Sequence, residues 1–433
     1  MTRLHSRPAR SPVWHPFTQH ATAPDPIVIA RTEAARLITA DGRGLIDAIS
    51  SWWVVTHGHR HPAIMAAIRE ATESLDQVIF AGFTHDPAEA LAHDLIAIAP
   101  PGLAHVFYSD SGSTAVEVAL KMALGTTANR RARHRTRILA LEHAYHGDTV
   151  GTMSVGARGV FTSAYEPLLF EVGRIPFPVP GTAAVDQALA ALEAECRSER
   201  VAALIVEPLI LGAGGMLMWE AHVLAEMARI CRSHGVLLIA DEVMTGFGRT
   251  GTLFACEQAG ITPDILCLAK GLTGGALPLA ATLATSEVFA AHYTEDRSKT
   301  FFHSSSYTAN PIACAAARAN LRIWREEPVR QRIAALAKAQ SDRLAQVAGR
   351  DDRFAAPRCL GTITALDLPV VDAGYLSALG PGIYRHAIDN GVLLRPLGNT
   401  LYVLPPYCIS ESELDQVYQV IAGVPEAVAA GVR

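Results

Sequence analysis

The sequence predicts an α/β fold: a large domain on a mostly parallel central sheet, with a smaller α+β domain beside it. Two observations carry this. From about residue 60 to 320, short aliphatic or β-branched runs alternate with alanine-rich helical stretches, the rhythm of βα units around a parallel sheet. From about residue 325 the pattern changes to a charged helix, EEPVRQRIAALAKAQSDRLAQV, followed by short strand candidates. A chain of 433 residues is long enough for two or three packed units around a large core.

The strand candidates of the large unit are Ala104 to Tyr108, Arg137 to Leu141, Ala202 to Val206, Val236 to Ala240 and Ile265 to Leu268. Residues 115–124 (AVEVALKMAL) and 221–233 (AHVLAEMARICRS) have the length and composition of helices. Pro176-Phe177-Pro178-Val179-Pro180-Gly181 cannot be regular structure, because proline removes a backbone donor, and it reads as a crossing loop. In the small unit the strand candidates lie near Gly361 to Leu366, Val392 to Leu394 and Leu401 to Leu404.

Half the residues are hydrophobic and 18% are charged, against roughly 25% in ordinary soluble domains, which implies much surface buried within the fold or between subunits and favours an oligomer. A net charge of -5 offers no basic field for nucleic acid or anionic membrane. The run Arg130, Arg131, Arg133, Arg135 and Arg137 reads as a solvated loop. The seven cysteines (Cys196, Cys231, Cys256, Cys267, Cys314, Cys359 and Cys408) show no CxxC spacing and read as reduced core thiols, with no metal implied. The N-terminus has arginines but no apolar run, and no stretch approaches the roughly 18 apolar residues of a membrane span, so a soluble cytoplasmic protein is expected.

The chemistry begins at VLLIADEV (236–243), an apolar run ending in Asp241 and Glu242, where ligands of open α/β sheets usually sit. Asp241 alone is served equally well by a helix cap or a buried ion pair. The next strand candidate, in ILCLAKGLTGG, puts Lys270 just past its own end, one crossover unit later. A lysine and an acid on adjacent strand ends can face one cofactor, the amine as its Schiff-base partner and the carboxylate keeping a pyridine nitrogen protonated. A phosphate seat is offered by DSGSTAVEVALKMA, where Ser111, Gly112, Ser113 and Thr114 enter a helix and free N–H groups attract a dianion. HAYHGDTVG places Tyr145 and His146 before a Gly-Asp turn at the same sheet end, where an aromatic ring can stack on a planar one.

Together these segments, and ADEVMTGFGRTGTLFACEQAGITPDILCLAKGLTGG above all, resemble the class III aminotransferases, which are fold type I, aspartate-aminotransferase-like enzymes of pyridoxal 5'-phosphate (PLP). The resemblance implies a Schiff-base lysine at Lys270, a pyridinium partner at Asp241, and phosphate contacts from Ser111, Gly112 and Ser113. It implies Tyr145 stacked on the ring. In HSSSYTANP, Ser306 stands where the second subunit of the family donates a hydroxyl to the phosphate, so a homodimer is implied. The expected division is an N-terminal segment (1–60) shared with the small domain and substrate site, a PLP-binding domain (61–324) and a C-terminal small domain (325–433).

WHPFTQH, SSWWVVTHGH and FAGFTHDPA look like the adenosylmethionine-8-amino-7-oxononanoate aminotransferase family of biotin biosynthesis. That likeness implies 8-amino-7-oxononanoate as acceptor, S-adenosylmethionine as donor, Trp52 and Trp53 as walls of the substrate site, and Asp148 beside Tyr145. Arg395 in LLRPLGNTLYVLPPY would bind the acceptor's carboxylate through a bidentate fork. The core-packing alternative for the tryptophans suits only one of two adjacent strand residues. Two positions depart from the family pattern: Phe17 replaces a tyrosine, and His303-Ser304-Ser305-Ser306 replaces a His-Gly-Pro-Thr loop, which affects substrate contacts at Phe17 and Ser304 and leaves lysine open as donor. An ω-amino-acid or diamine transaminase of the same class is the rival enzyme, and a PLP-binding regulator the alternative outside catalysis.

Overall fold

A computed structural model describes residues 11–371 and 373–431. The N-terminal arginines without an apolar run fall largely in residues 1–10, outside the described residues, as do the outermost ends of the expected first and last segments.

The central sheet has seven strands in the order Leu103–Ser109, Ala280–Thr285, Ile265–Leu268, Leu237–Asp241, Val201–Val206, Arg137–Leu141 and Gly173–Ile175. Only Ala280–Thr285 runs against its neighbours. The mostly parallel sheet expected from the sequence is therefore present, and the strand candidates lie within a residue of their observed bounds. Parallel strands need covering on both faces. Alternate residues of one strand supply both: Leu204 and Val206 pack towards the helices Ala184–Arg197 and Ala221–Ser233, while Ala203 and Ile205 pack towards Gly112–Asn129. Because the parallel strands share a direction, the chain leaves them at one edge, after Ser109, Leu141, Val206, Asp241 and Leu268. The reversed strand enters from that same edge, just after Pro278 and Leu279.

The remaining sheets join distant parts of the chain. Gly44–Asp47 pairs in parallel with Val392–Leu393, and the hairpin Ala355–Leu360 and Ile363–Asp367 pairs with Thr400–Val403. Arg249, buried, pins the junction by donating to Val55 O (2.7 Å) and Pro405 O (2.9 Å).

Several expectations need correction. The charged helix begins at Val329 and not at Glu326, because Pro328 lacks the N–H needed to continue the preceding helix Pro311–Glu326. Arg135 and Arg137 are not a solvated loop: Arg135 donates to His234 O (2.9 Å), and Arg137 lies in a strand, paired with Glu195 and Glu171. Five of the free cysteines are buried, but Cys359 and Cys408 are exposed. Trp52 and Trp53 are not on a strand but in a kinked turn, Ser50–Trp53, where Ser50, Ser51 and Trp53 all have positive φ. That strain frees the pair from strand alternation. No helix of the described residues is long and apolar enough to cross a membrane.

His57 carries a measurable consequence. It is buried, neither ring nitrogen has a hydrogen-bond partner among the described residues, and His61, Trp324 and Tyr407 surround it. Burial, with His61 and Arg249 nearby and opposed by Asn320 and Glu327, pushes its pKa down to about 3. A folded-state value below the unfolded one, about 6.5, means that the unfolded chain gains a proton first as pH falls. Stability should therefore drop below pH 6.5 by up to about 1.4 kcal/mol per pH unit from this group alone. Denaturant unfolding at pH 6, 5 and 4 should show a slope shallower by one proton in His57→Asn than in the parent; equal slopes would remove His57 from the acid sensitivity.

Candidate active site

At the shared strand edge lies a cavity of about 610 Å³, within the range of sites for small molecules. Lys270, Asp241, Tyr145, Ser111, Gly112, Ser113, Asp148, Phe17, Trp52, Trp53 and Arg395 all line it. Ser304 and Ser306 do not; they are exposed, in a loop whose Ser305 Oγ donates to Asp110 Oδ2 at the cavity's rim.

Lys270 begins a 3-10 turn, Lys270–Thr273, directly after its strand, with φ 43, a conformation a side-chain-bearing residue holds only where its surroundings enforce it. Its Nζ lies 4.5 Å from the Trp53 ring centroid. Burial lowers its pKa to about 8 against the opposing pull of Asp241 and Glu207. Trp53 is itself fixed by Nε1 donating to Tyr402 Oη at 3.0 Å.

The two carboxylates closing the neighbouring strand have separate roles. Glu242 turns inward and accepts from Ala255 N (2.7 Å), Cys256 N (2.8 Å) and Thr245 Oγ1 (3.0 Å), so it organises the chain after the strand. Asp241 faces the cavity. Its Oδ1 accepts from Val243 N (3.1 Å) and its Oδ2 meets His146 Nδ1 at 2.7 Å, both side chains being buried. A ring nitrogen that meets a carboxylate carries the proton, and the other, Nε2, has no hydrogen-bond partner among the described residues.

Ser111 caps the helix Gly112–Asn129: its Oγ accepts from Thr114 N, and Thr114 Oγ1 accepts from Ser111 N. The expected helix entry is thus present, and Gly112 and Ser113, whose first-turn N–H groups have no partner within the helix, line the cavity, where such groups attract an anion. Tyr145 is held by its N–H donating to Glu207 Oε1 (2.9 Å), and burial, with Asp148 beside it, raises its phenol well above the ordinary value.

The opposite wall is assembled from distant segments. Phe17 meets Trp52 (5.6 Å between centroids), Phe161 (5.7 Å) and Tyr375 (6.2 Å) edge-on. Arg395 lies 5.2 Å from the Trp52 ring and donates to Phe17 O at 3.3 Å. A guanidinium above an apolar lining suits an anionic group on an otherwise apolar chain.

Sequence reasoning missed Glu207 as a site residue and gave His146 no role. Glu207 follows the buried run VAALIV as Asp241 follows VLLIA, and that repeated pattern was the available signal. Its carboxylate accepts from Tyr145 N and Gly212 N, both at 2.9 Å, yet burial pushes its pKa up to about 7. Tyr402, Phe161 and Tyr375 carry no comparable sequence signal.

The arrangement fits a phosphorylated pyridine aldehyde: a buried amine of lowered basicity for the aldehyde, a carboxylate for a ring nitrogen, and a capped helix entry for the phosphate. The family model for aminotransferase class-III matches residues 17–424. An adenosylmethionine-8-amino-7-oxononanoate aminotransferase of Synechococcus elongatus is 48% identical, over 97% of this chain and all of that one. The protein of that name from Geobacter sulfurreducens is 38% identical over 94% of each chain. Among solved structures, the adenosylmethionine-8-amino-7-oxononanoate aminotransferase of Methanocaldococcus jannaschii superposes with a TM-score of 0.90 at 34% identity, over 96% of this chain and 97% of that one. An amine transaminase from an uncultivated Pseudomonas species, in a PLP-bound form, gives 0.89 at 32% identity, over 97% and 99%. A lysine, an acid and a helix entry converging on one cavity, within a match spanning nearly the whole sequence, identify an enzyme: the chain belongs to the class-III aminotransferases.

Proposed function

We propose that this enzyme transfers an amino group to the 7-keto carbon of 8-amino-7-oxononanoate, giving 7,8-diaminononanoate in biotin biosynthesis, with S-adenosylmethionine as donor and PLP as cofactor. The observation that carries the reading is a buried amine at Lys270 and a guanidinium at Arg395 lining one cavity whose far wall is aromatic. The names of the relatives supply the substrates.

PLP, when bound, supplies an electron sink for the carbon that loses its proton. The chain's residues do the rest. With its pKa lowered to about 8, Lys270 presents a useful fraction of neutral amine near neutral pH; it would be the residue that holds the cofactor's aldehyde, and its free amine would accept the proton from the substrate carbon bearing the transferred nitrogen. Asp241, oriented by His146, would keep a proton on the cofactor's pyridine nitrogen. Ser111, Gly112 and Ser113 would hold the phosphate, and Tyr145, with Asp148 beside it, would pack against the ring. Trp52, Trp53 and Phe17 enclose the aliphatic chain of the acceptor while Arg395 takes its carboxylate.

The working unit is a homodimer in which Ser304 and Ser306 of one subunit reach the cavity of the other. Their loop is exposed, and the adjacent segment is tied to it by Gln77 Nε2 donating to Ser306 O at 3.2 Å. Around it Ile79, Phe83, Phe302 and Tyr307 expose large apolar side chains, as a subunit contact requires. The division into 1–60, 61–324 and 325–433 belongs to the same reading, supported by the pairing of Gly44–Asp47 with Val392–Leu393. Free cysteines support a cytoplasmic setting.

The test separates the half-reactions. PLP-loaded enzyme mixed with S-adenosylmethionine alone should lose its visible absorption, and 8-amino-7-oxononanoate should restore it. Response to lysine but not to S-adenosylmethionine would overturn the donor; failure of the acceptor to restore absorption would overturn the acceptor. An ω-amino-acid or diamine transaminase is the rival, favoured by the likeness to the amine transaminase: in that case an ω-amino acid or diamine as donor would remove the absorption and 8-amino-7-oxononanoate would not restore it.

A further inference from the structure

Three side chains on one face of the helix Gly112–Asn129, spaced four residues apart, hold two separate loops. Ser113 Oγ accepts from Asp148 N at 3.2 Å. One turn on, Glu117 Oε1 accepts from Thr149 Oγ1 at 2.5 Å and from Gly151 N at 2.8 Å. A further turn on, Lys121 Nζ donates to Phe302 O at 2.6 Å, beside His303 of the Ser304–Ser306 loop.

The middle contact is the tightest. A side chain at Gly151 would overlap the Glu117 carboxylate, and one at Gly147 would overlap Ser113 Oγ, so the loop lies against the helix as closely as bare backbone allows. Among the described residues, the hydrogen bonds that tie residues 147–151 to the helix Gly112–Asn129 go to Ser113 and Glu117, and the remaining ones stay within the loop and the short helix it enters, Val150–Val155. This same loop begins with Tyr145, whose backbone is held by Glu207, and His146, which meets Asp241.

We infer that Glu117 is a positioning residue for the transamination: through Thr149 and Gly151 it fixes the loop 145–151 to the helix whose first turn receives the cofactor phosphate, and so keeps Tyr145 and Asp148 in register with Asp241 and Lys270. The inference rests on the PLP reading above and is independent of which acceptor is used. Its physical basis is that a helix is stiff and the loop is not. A charged acceptor taking two donors is among the stronger local ties available, and it transmits the position of the phosphate seat to the ring-side residues. Glu117 lines no part of the cavity, so it acts through the loop and not on the substrate.

The test uses full-length protein and PLP alone, without substrate. Glu117→Ala should weaken PLP binding by about tenfold or more, in keeping with two lost hydrogen bonds to a charged group. It should also reduce the visible circular dichroism of bound cofactor, which reports the asymmetry imposed by Tyr145 and its neighbours. Glu117→Gln, whose Oε1 can still accept both bonds, should restore affinity and dichroism to within about threefold of the parent. Thr149→Val removes one donor without touching the helix and provides a milder variant should Glu117→Ala fold poorly. Its loss should be smaller, and the two losses should combine less than multiplicatively because they share one interaction. Parent-like PLP affinity and dichroism in Glu117→Ala, or in Thr149→Val where Glu117→Ala does not fold, would overturn the inference. So would a Glu117→Gln variant as impaired as Glu117→Ala. A parent that bound no PLP would overturn both this inference and the cofactor reading, whereas a parent that binds PLP but rejects 8-amino-7-oxononanoate would overturn only the acceptor.

Discussion

Lys270→Ala is expected to carry no borohydride-fixed PLP and to lose transamination by roughly 10²–10⁴-fold from the missing proton transfer alone. Lys270 is the only lysine that lines the cavity among the described residues, so no neighbouring amine can replace it. In the parent, covalent loading should accelerate as pH rises towards about 8 and level off above it, because the neutral amine is the nucleophile and burial has lowered the pKa to that value. Mass analysis after borohydride reduction locates the attachment. A fixed adduct on another lysine in the variant would refute the assignment, and a loading rate indifferent to pH between 6 and 8 would refute the lowered basicity.

Asp241→Asn should still bind and attach PLP but slow the proton-abstraction step by roughly 10²–10³-fold, the scale on which removal of one preorganised electrostatic partner acts. A neutral amide cannot hold a positive charge on a pyridine nitrogen, so the ring withdraws electrons less well. The amide retains an oxygen that can accept from His146 Nδ1, now 2.7 Å from Asp241 Oδ2, and the fold should be little affected. Asp241→Ala should differ, losing about 1–3 kcal/mol of stability as well, because both nitrogens of a buried His146 would then lack partners among the described residues. Single-turnover rates and denaturant unfolding of the two variants separate these effects. Parent-like single-turnover rates in Asp241→Asn would take Asp241 out of the chemistry.

The near wall of the cavity was legible because it follows a local rule. Each of Asp241, Lys270 and Ser111 stands just beyond a short apolar run, and parallel strands deliver such positions to a common edge whatever packs around them. Glu207 obeys the same rule; the Pro208 that follows it gives the segment the look of an ordinary turn. His146 was visible as a residue, but its role was not, since nothing in HAYHGDTVG reveals that its ring meets a carboxylate 95 positions further along.

The sequence by itself determined the sheet rhythm, the strand ends that carry Lys270 and Asp241, the capped helix entry at Ser111 and, through its motifs, the family. Only the tertiary structure decided that Trp52 and Trp53 occupy a strained turn, that Phe17, Phe161 and Tyr375 meet, and that Arg395 lies across Trp52 from a cavity it shares with Lys270. The reason is one of range. Hydrophobic period and capping are fixed by neighbours within a turn or a strand, whereas the far wall depends on burial that brings together segments more than 300 residues apart, a free energy to which no local window of the sequence contributes alone.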